Sequence, residues 1–252
     1  LSIIFNTILN WNCRVAKYDS EISSLSSNIV DATLQTYRNA MRELRPTPMK
    51  SHYTFNLRDF SRVIQGVCLC RPYEGFSKDT FIRLWVHECL RVFSDRLIDE
   101  TDQEWFFKNT NELVSIHFKR KLDELFMPLY KGDQTQANVE VSRNLLFAKF
   151  LDPNQAIKVY KEVSDFEALS STVDQYLEDY NGESKKPMDL VMFMFAIEHA
   201  TRIARVLAMP GGNMLLVGIG GSGRQSLTRL ASFMLEYGLK QIELSKNYGK
   251  IE

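Results

Sequence analysis

The chain has no surplus of charge of either sign: across 252 residues, 31 Lys and Arg stand against 31 Asp and Glu. Without a net field nothing draws it to nucleic acid, anionic lipid or an acidic partner, so neither nucleic acid nor membrane is expected among its partners. Cysteine is sparse as well. Cys13, Cys68, Cys70 and Cys89 form neither a CxxC pair nor the density of a secreted disulfide scaffold, and they read as reduced, buried small hydrophobes of a cytoplasmic protein. His52, His87, His117 and His199 fall at no ligand spacing; they are expected to be packed or surface residues, with no metal site and no catalytic triad to assign. The longest apolar run, Leu190 to Ile197, is far short of the ~20 residues that span a bilayer. The first residues resemble no signal or transit peptide, and an apolar helical pattern is already under way at Leu1, as in an internal segment.

What is present is helix, and enough apolar residue, 44%, to bury sizeable cores. From Ile22, the positions Leu25, Ile29, Val30, Leu34, Tyr37, Met41 and Leu44 recur at steps of three and four, predicting a long amphipathic helix that Pro46 and Pro48 end. A second helix is expected from about Asn56 to Cys70 and a third after Ser77, carrying Phe81, Leu84, Trp85, Cys89 and Phe93 inward. Thr101 and Glu104 have the spacing of a capping box that opens a fourth helix toward Leu125. The polar, aperiodic run from Lys131 to Asn138 marks a boundary, so the expected division is a helical bundle over 1–137 and a second unit over 138–252. In that second unit, Leu145 to Leu151 and Val159 to Val163 have strand length, Asp165 caps a helix closed by Gly182, and another helix runs from Met188 to Met209. Pro210, Gly211 and Gly212 stop it, Met214 to Val217 follows as a buried strand, and Lys240 to Leu244 reads as the next. The expected fold class is mixed α/β and helix-dominated.

The strand at 214–217 leads into Gly218, Ile219, Gly220, Gly221, Ser222, Gly223, Arg224, Gln225 and Ser226, and then into the helical pattern Leu227, Leu230, Ala231, Met234. Strand, glycine loop and helix in that order make a phosphate nest: glycines aim successive N–H groups into one concavity, and the helix adds its positive N-terminal end. Gly218 and Gly223 match the pattern GxxxxGK[ST], but Arg224 stands where the lysine belongs and Gln225 where a hydroxyl would bind Mg²⁺. Guanidinium keeps the charge and changes its placement, and an amide on a longer stem replaces a hard hydroxyl ligand, with Ser226 one residue out of register. These changes predict binding of ATP or ADP, with Mg²⁺ at best weakly held, and no hydrolysis; no catalytic residue is assigned.

The string from Asn213 to Ala231 closely resembles the degenerate phosphate loop of the fourth AAA+ module of axonemal dynein heavy chains. The cytoplasmic branch usually keeps lysine and threonine, so Arg224 and Gln225 favour the axonemal one. A second stretch, His52 to Val63, resembles a segment of the helical lid of the third module. That resemblance implies that Arg58 is the lid's sensor arginine for nucleotide held by the preceding domain. It further implies a lid over 1–137 and the start of the next large domain over 138–252, with neighbouring AAA+ modules of the same chain as partners. Through the whole heavy chain it implies microtubules, dynein intermediate and light chains, and a place in the cytoskeleton of the ciliary axoneme. A P-loop kinase or GTPase is disfavoured by the helical bundle ahead of the loop and by the missing lysine. A purely structural ring segment with an empty loop is the rival reading.

Overall fold

In the computed structural model, which describes residues 1–153, 155 and 158–242, most of the chain is helical. Helices α1 (Ser2–Val15), α2 (Ser20–Ser23), α3 (Ser26–Glu43), α4 (Leu57–Val67), α5 (Lys78–Val92), α6 (Glu100–Phe118) and α7 (Leu122–Phe126) form one bundle. After a single turn, α8 (Val139–Ser142), come β1 (Phe147–Ala148), β2 (Lys161–Glu162), α9 (Phe166–Glu183), α10 (Met194–Ala208) and α11 (Arg224–Met234).

Helix α5 is the axis of the bundle, and almost every one of its side chains is buried. Ser77 caps it by accepting from Thr80 N, and Trp85, wholly buried, donates its indole N–H to Thr33 Oγ1 of α3 at 2.9 Å. Helix α4 is opened by a capping box that the sequence reading had not identified: Asn56 Oδ1 accepts from Arg58 N, and Asp59 Oδ2 accepts from Asn56 N. The box expected at Thr101 and Glu104 is absent. Helix α6 begins earlier, at Glu100, with no side-chain cap, because Asp99 and Asp102 both turn to the Lys50 ammonium instead. It also ends earlier, at Phe118, where Lys119 takes a left-handed conformation and α7 starts afresh.

Two cores meet at β1. Phe147 belongs to the first, with Val141, Leu145 and Tyr160; Leu146 and Ala148 belong to the second, with α9, α10 and α11. Strict alternation along one short strand therefore sends its two faces to different cores. The strand pairs antiparallel with β2, Phe147 opposite Glu162, and Arg83 of α5 grips that glutamate through Nε and Nη2 at 2.6 and 2.8 Å.

A second, deeper tie joins α5 to α10. Glu88, fully buried, takes the Arg205 guanidinium through Nε and Nη2 and the Tyr160 hydroxyl at 2.9 Å. Gly66 of α4 lies against the pair and leaves it room. Burial pushes the Glu88 carboxyl up, but Arg205 and His87 beside it outweigh burial and hold it below the usual carboxylate range. Burial drives the His87 imidazole down from 6.5 to about 4. A depressed folded value means that the unfolded chain takes up the proton first, so this stability is whole above pH 6.5 and is lost as pH falls toward 4. Urea unfolding is expected to show a loss on the order of 3 kcal/mol across that window, at 1.36 kcal/mol per pH unit. His87→Gln should flatten it, and an unchanged slope would show that another group is responsible.

The helix expected from Met188 starts only at Met194. Pro187 and a pair of bonds between Asn181 and Met188, Met188 N to Oδ1 at 2.7 Å and Nδ2 to Met188 O at 2.9 Å, hold the chain extended before it. All four cysteines are free, Cys13, Cys70 and Cys89 buried. Among the described residues no helix is long and apolar enough to cross a membrane.

Candidate functional site: a glycine loop at the head of helix α11

Gly221 and Gly223 have φ of +79° and +77°, a region that costs side-chain-bearing residues, so at these two positions glycine is required by the backbone. Gly223 is the N-cap of α11, its carbonyl accepting from Leu227 N at 2.8 Å. A Cβ at Gly220, Gly221 or Gly223 would meet nothing within 4 Å, so the concavity above these residues is open. Gly218, Ile219, Gly220, Gly221, Ser222 and Gln225 are exposed, while Gly223, Arg224 and Ser226 are half-buried. All nine predicted positions thus lie on one turn and the helix end that follows it.

Arg224 does not reach outward. Its side chain folds back past Gly218, and Nη2 donates to Ile219 O at 3.1 Å, inside its own loop. Gln225 carries no hydroxyl to the place where a hard cation would bind, and no group of three or more His, Cys, Asp or Glu that could hold a metal occurs among the described residues.

The expected buried strand at 214–217 is not formed. Met214 and Leu216 pack on the second core, whereas Leu215 and Val217 are 88% and 86% exposed. The period of two is right, but a strand needs a neighbour for its N–H and C=O groups, and β1–β2 is the only sheet among the described residues. Of the strand expected at 240–244, residues 240–242 are irregular, and 243 and 244 lie outside the described residues. Beside the loop is a cavity of about 380 Å³, walled by 214–218, Ser222, Arg224 and Leu227 on one side and by Arg91, Asp95, Arg202 and Arg205 on the other. Arg58 is elsewhere, exposed in the first turn of α4, and is absent from the walls of that cavity.

Residues 6–103 match the family described as the dynein heavy chain ATPase lid domain, and residues 188–252 match the P-loop containing dynein motor region D4. Over 249 residues, 98% of the chain, the sequence is 47% identical to dynein axonemal heavy chain 3 of Mus musculus. The chain belongs to the axonemal dynein heavy-chain family. It is 45% identical over 251 residues, 99% of its length, to dynein axonemal heavy chain 12 of Rattus norvegicus. Over its whole length it is 41% identical to the Chlamydomonas reinhardtii dynein-1-beta heavy chain of the flagellar inner arm I1 complex. It spans 6%, 8% and 5% of those three dyneins. Membership places it in the cytoskeleton of the ciliary and flagellar axoneme.

The chain also holds buried polar residues whose partners the sequence pattern does not reveal. Arg83, His87 and Arg91 recur every four residues on a helix otherwise buried in apolar contacts, and Glu88 stands beside them. A polar stripe on an inward helix face is the signal that could have exposed the Glu88–Arg205 tie, since buried charges are kept only when paired.

Proposed function

We propose that this chain supplies a regulatory, non-hydrolytic nucleotide-binding module to an ATP-driven axonemal dynein motor. Gly218, Ile219, Gly220, Gly221, Ser222, Gly223, Arg224, Gln225 and Ser226 hold the phosphates of ATP or ADP. The observation that carries this reading is the pair of left-handed glycines closing onto the N-terminus of α11 with open space above them, a backbone geometry suited to an anion. Bound nucleotide would supply charge and rigidity to the loop, and Mg²⁺ would accompany it weakly through Gln225 or Ser226. Residues 1–137 act as the lid of the preceding module, with exposed Arg58 as that module's sensor arginine, and 138–252 begin the next large domain. Neighbouring AAA+ modules of the same chain are the direct partners; microtubules and the intermediate and light chains engage the whole heavy chain.

One observation favours the structural alternative: the Arg224 bond to Ile219 O gives the loop a cation of its own. Calorimetric titration with ADP and ATP, with and without Mg²⁺, separates the two. The first reading expects saturable binding that falls at least tenfold in Gly223→Asp, where a strained, negative side chain replaces a glycine at φ +77°. It also expects tighter binding with stronger Mg²⁺ dependence in Arg224→Lys/Gln225→Thr. A folded chain with no saturable binding would leave the loop a structural element.

A further inference from the structure

A cluster of arginines lies at the seam between the bundle and α10, and among the described residues one of them has two nitrogens without a hydrogen-bond partner. Arg91, at the end of α5, has a side chain only 6% exposed, yet among the described residues its Nε and Nη1 have no hydrogen-bond partner. Its remaining nitrogen, Nη2, is 3.3 Å from Asp95 Oδ1. Arg202 of α10 approaches the other oxygen of the same carboxylate through Nε at 3.4 Å, without the geometry of a hydrogen bond. Both separations are long for a charge-assisted bond, so one carboxylate is stretched between two guanidinium groups and satisfies neither.

The neighbouring acids are already committed. Glu88 is held by Arg205, and both oxygens of Glu198 accept from Arg143 Nη2 at 3.1 and 3.0 Å. Four arginines, Arg91, Arg143, Arg202 and Arg205, therefore share three carboxylates, Glu88, Asp95 and Glu198, the last also 3.8 Å from Arg202 Nη2, so cations outnumber acids by one in this set. Burial, with the like charges of Arg202 and Arg205 behind it, depresses the Arg91 pKa, although Asp95 works against them. Arg91 forms part of the wall of two cavities at once, the one of about 380 Å³ beside the glycine loop and one of about 220 Å³ that Arg62 and the turn at 209–213 close.

We infer that this seam is an anion site, in which Arg91 and Arg202 bind a small oxyanion of the phosphate class between the bundle and α10. A guanidinium N–H donates a charge-assisted bond to a phosphate oxygen, and Arg91 Nε and Nη1 are donors of that kind with no partner among the described residues, while Arg202 holds Asp95 only loosely. An anion here would ease the repulsion across the seam and fasten α5 to the helix that leads into the loop. The inference does not depend on the loop reading nucleotide.

The test uses the chain carrying Gly223→Asp, so that the loop contributes no phosphate binding, with inorganic phosphate as the probe and chloride at matched ionic strength as the control for screening. Phosphate is expected to raise the unfolding temperature saturably and to shift the Nε–H resonances of Arg91 and Arg202. Adding Arg91→Met should weaken the phosphate response at least tenfold, and Arg202→Met does the same if the Arg91 variant does not fold. A phosphate response equal to that of chloride would overturn the assignment. So would a response that survives both methionine variants, which would mark an adventitious ion only.

Discussion

Glu88→Ala is expected to destabilise the chain by about 3–5 kcal/mol, because it strands the Arg205 guanidinium at a site that is only 6% exposed. Surface ion pairs elsewhere in the molecule belong to the class worth less than about 1 kcal/mol, so no peripheral pair offsets the loss. The Tyr160 hydroxyl also loses its acceptor. The measurement is urea unfolding of Glu88→Ala, Arg205→Met and the double variant. If the pair acts as a unit, the double variant loses clearly less than the sum of the singles, since neither buried charge is then left alone. Additive losses would show that the two residues contribute independently. The effect reaches beyond stability: α10 runs into the turn at 209–213 ahead of the glycine loop, so a loosened α10 should weaken the nucleotide binding proposed for that loop as well.

Gly66→Ala should also be damaging, although alanine in a helix ordinarily gains about 1 kcal/mol over glycine. A Cβ at this position would overlap the Glu88 carboxylate and stand 3.0 Å from Arg205 Nη2. The carboxylate cannot swing aside without leaving Arg205 and Tyr160, and overpacking of that kind, with a strained buried pair, costs about 3 kcal/mol. Steric loss therefore outweighs propensity, for a net loss of about 2 kcal/mol. The sign should invert in a Glu88→Ala background, where the obstacle is gone and only the gain in propensity remains. A Gly66→Ala variant as stable as the parent would mean that the seam has slack the structure does not show.

These two residues also mark where sequence reading stops. The helices of the bundle are legible because apolar side chains at steps of three and four have one physical meaning, and Asp165 announces its helix chemically, whereas the caps at Asn56 and Ser77 emerge only from the structure. The glycine loop was legible for a similar reason, since four glycines before a helix have few other uses. Gly66 was not. Its role depends on Glu88 and Arg205, which lie 22 and 139 positions further along the chain, and only the packing of α4, α5 and α10 brings the three together. The segment 214–217 failed differently. Alternation tells which face a strand would bury but supplies no neighbour, and strand formation is a property of pairs. Arg224 shows a third limit: its charge could be read from the motif, but not that it would be spent on the carbonyl of Ile219.

The way β1 divides its side chains carries a consequence for how the chain tolerates length changes. Phe147 enters one core while Leu146 and Ala148 enter the other, so the strand is a partition wall with both sides occupied. A single residue inserted there would exchange the two sets, sending a phenyl ring into a space built for a methyl group and leaving a hole where it had been. The polar connection at 131–136, which belongs to neither interior, can lengthen at little cost. Growth and loss of residues over time should therefore collect in that connection and spare the wall, and melting of either core should draw the other with it.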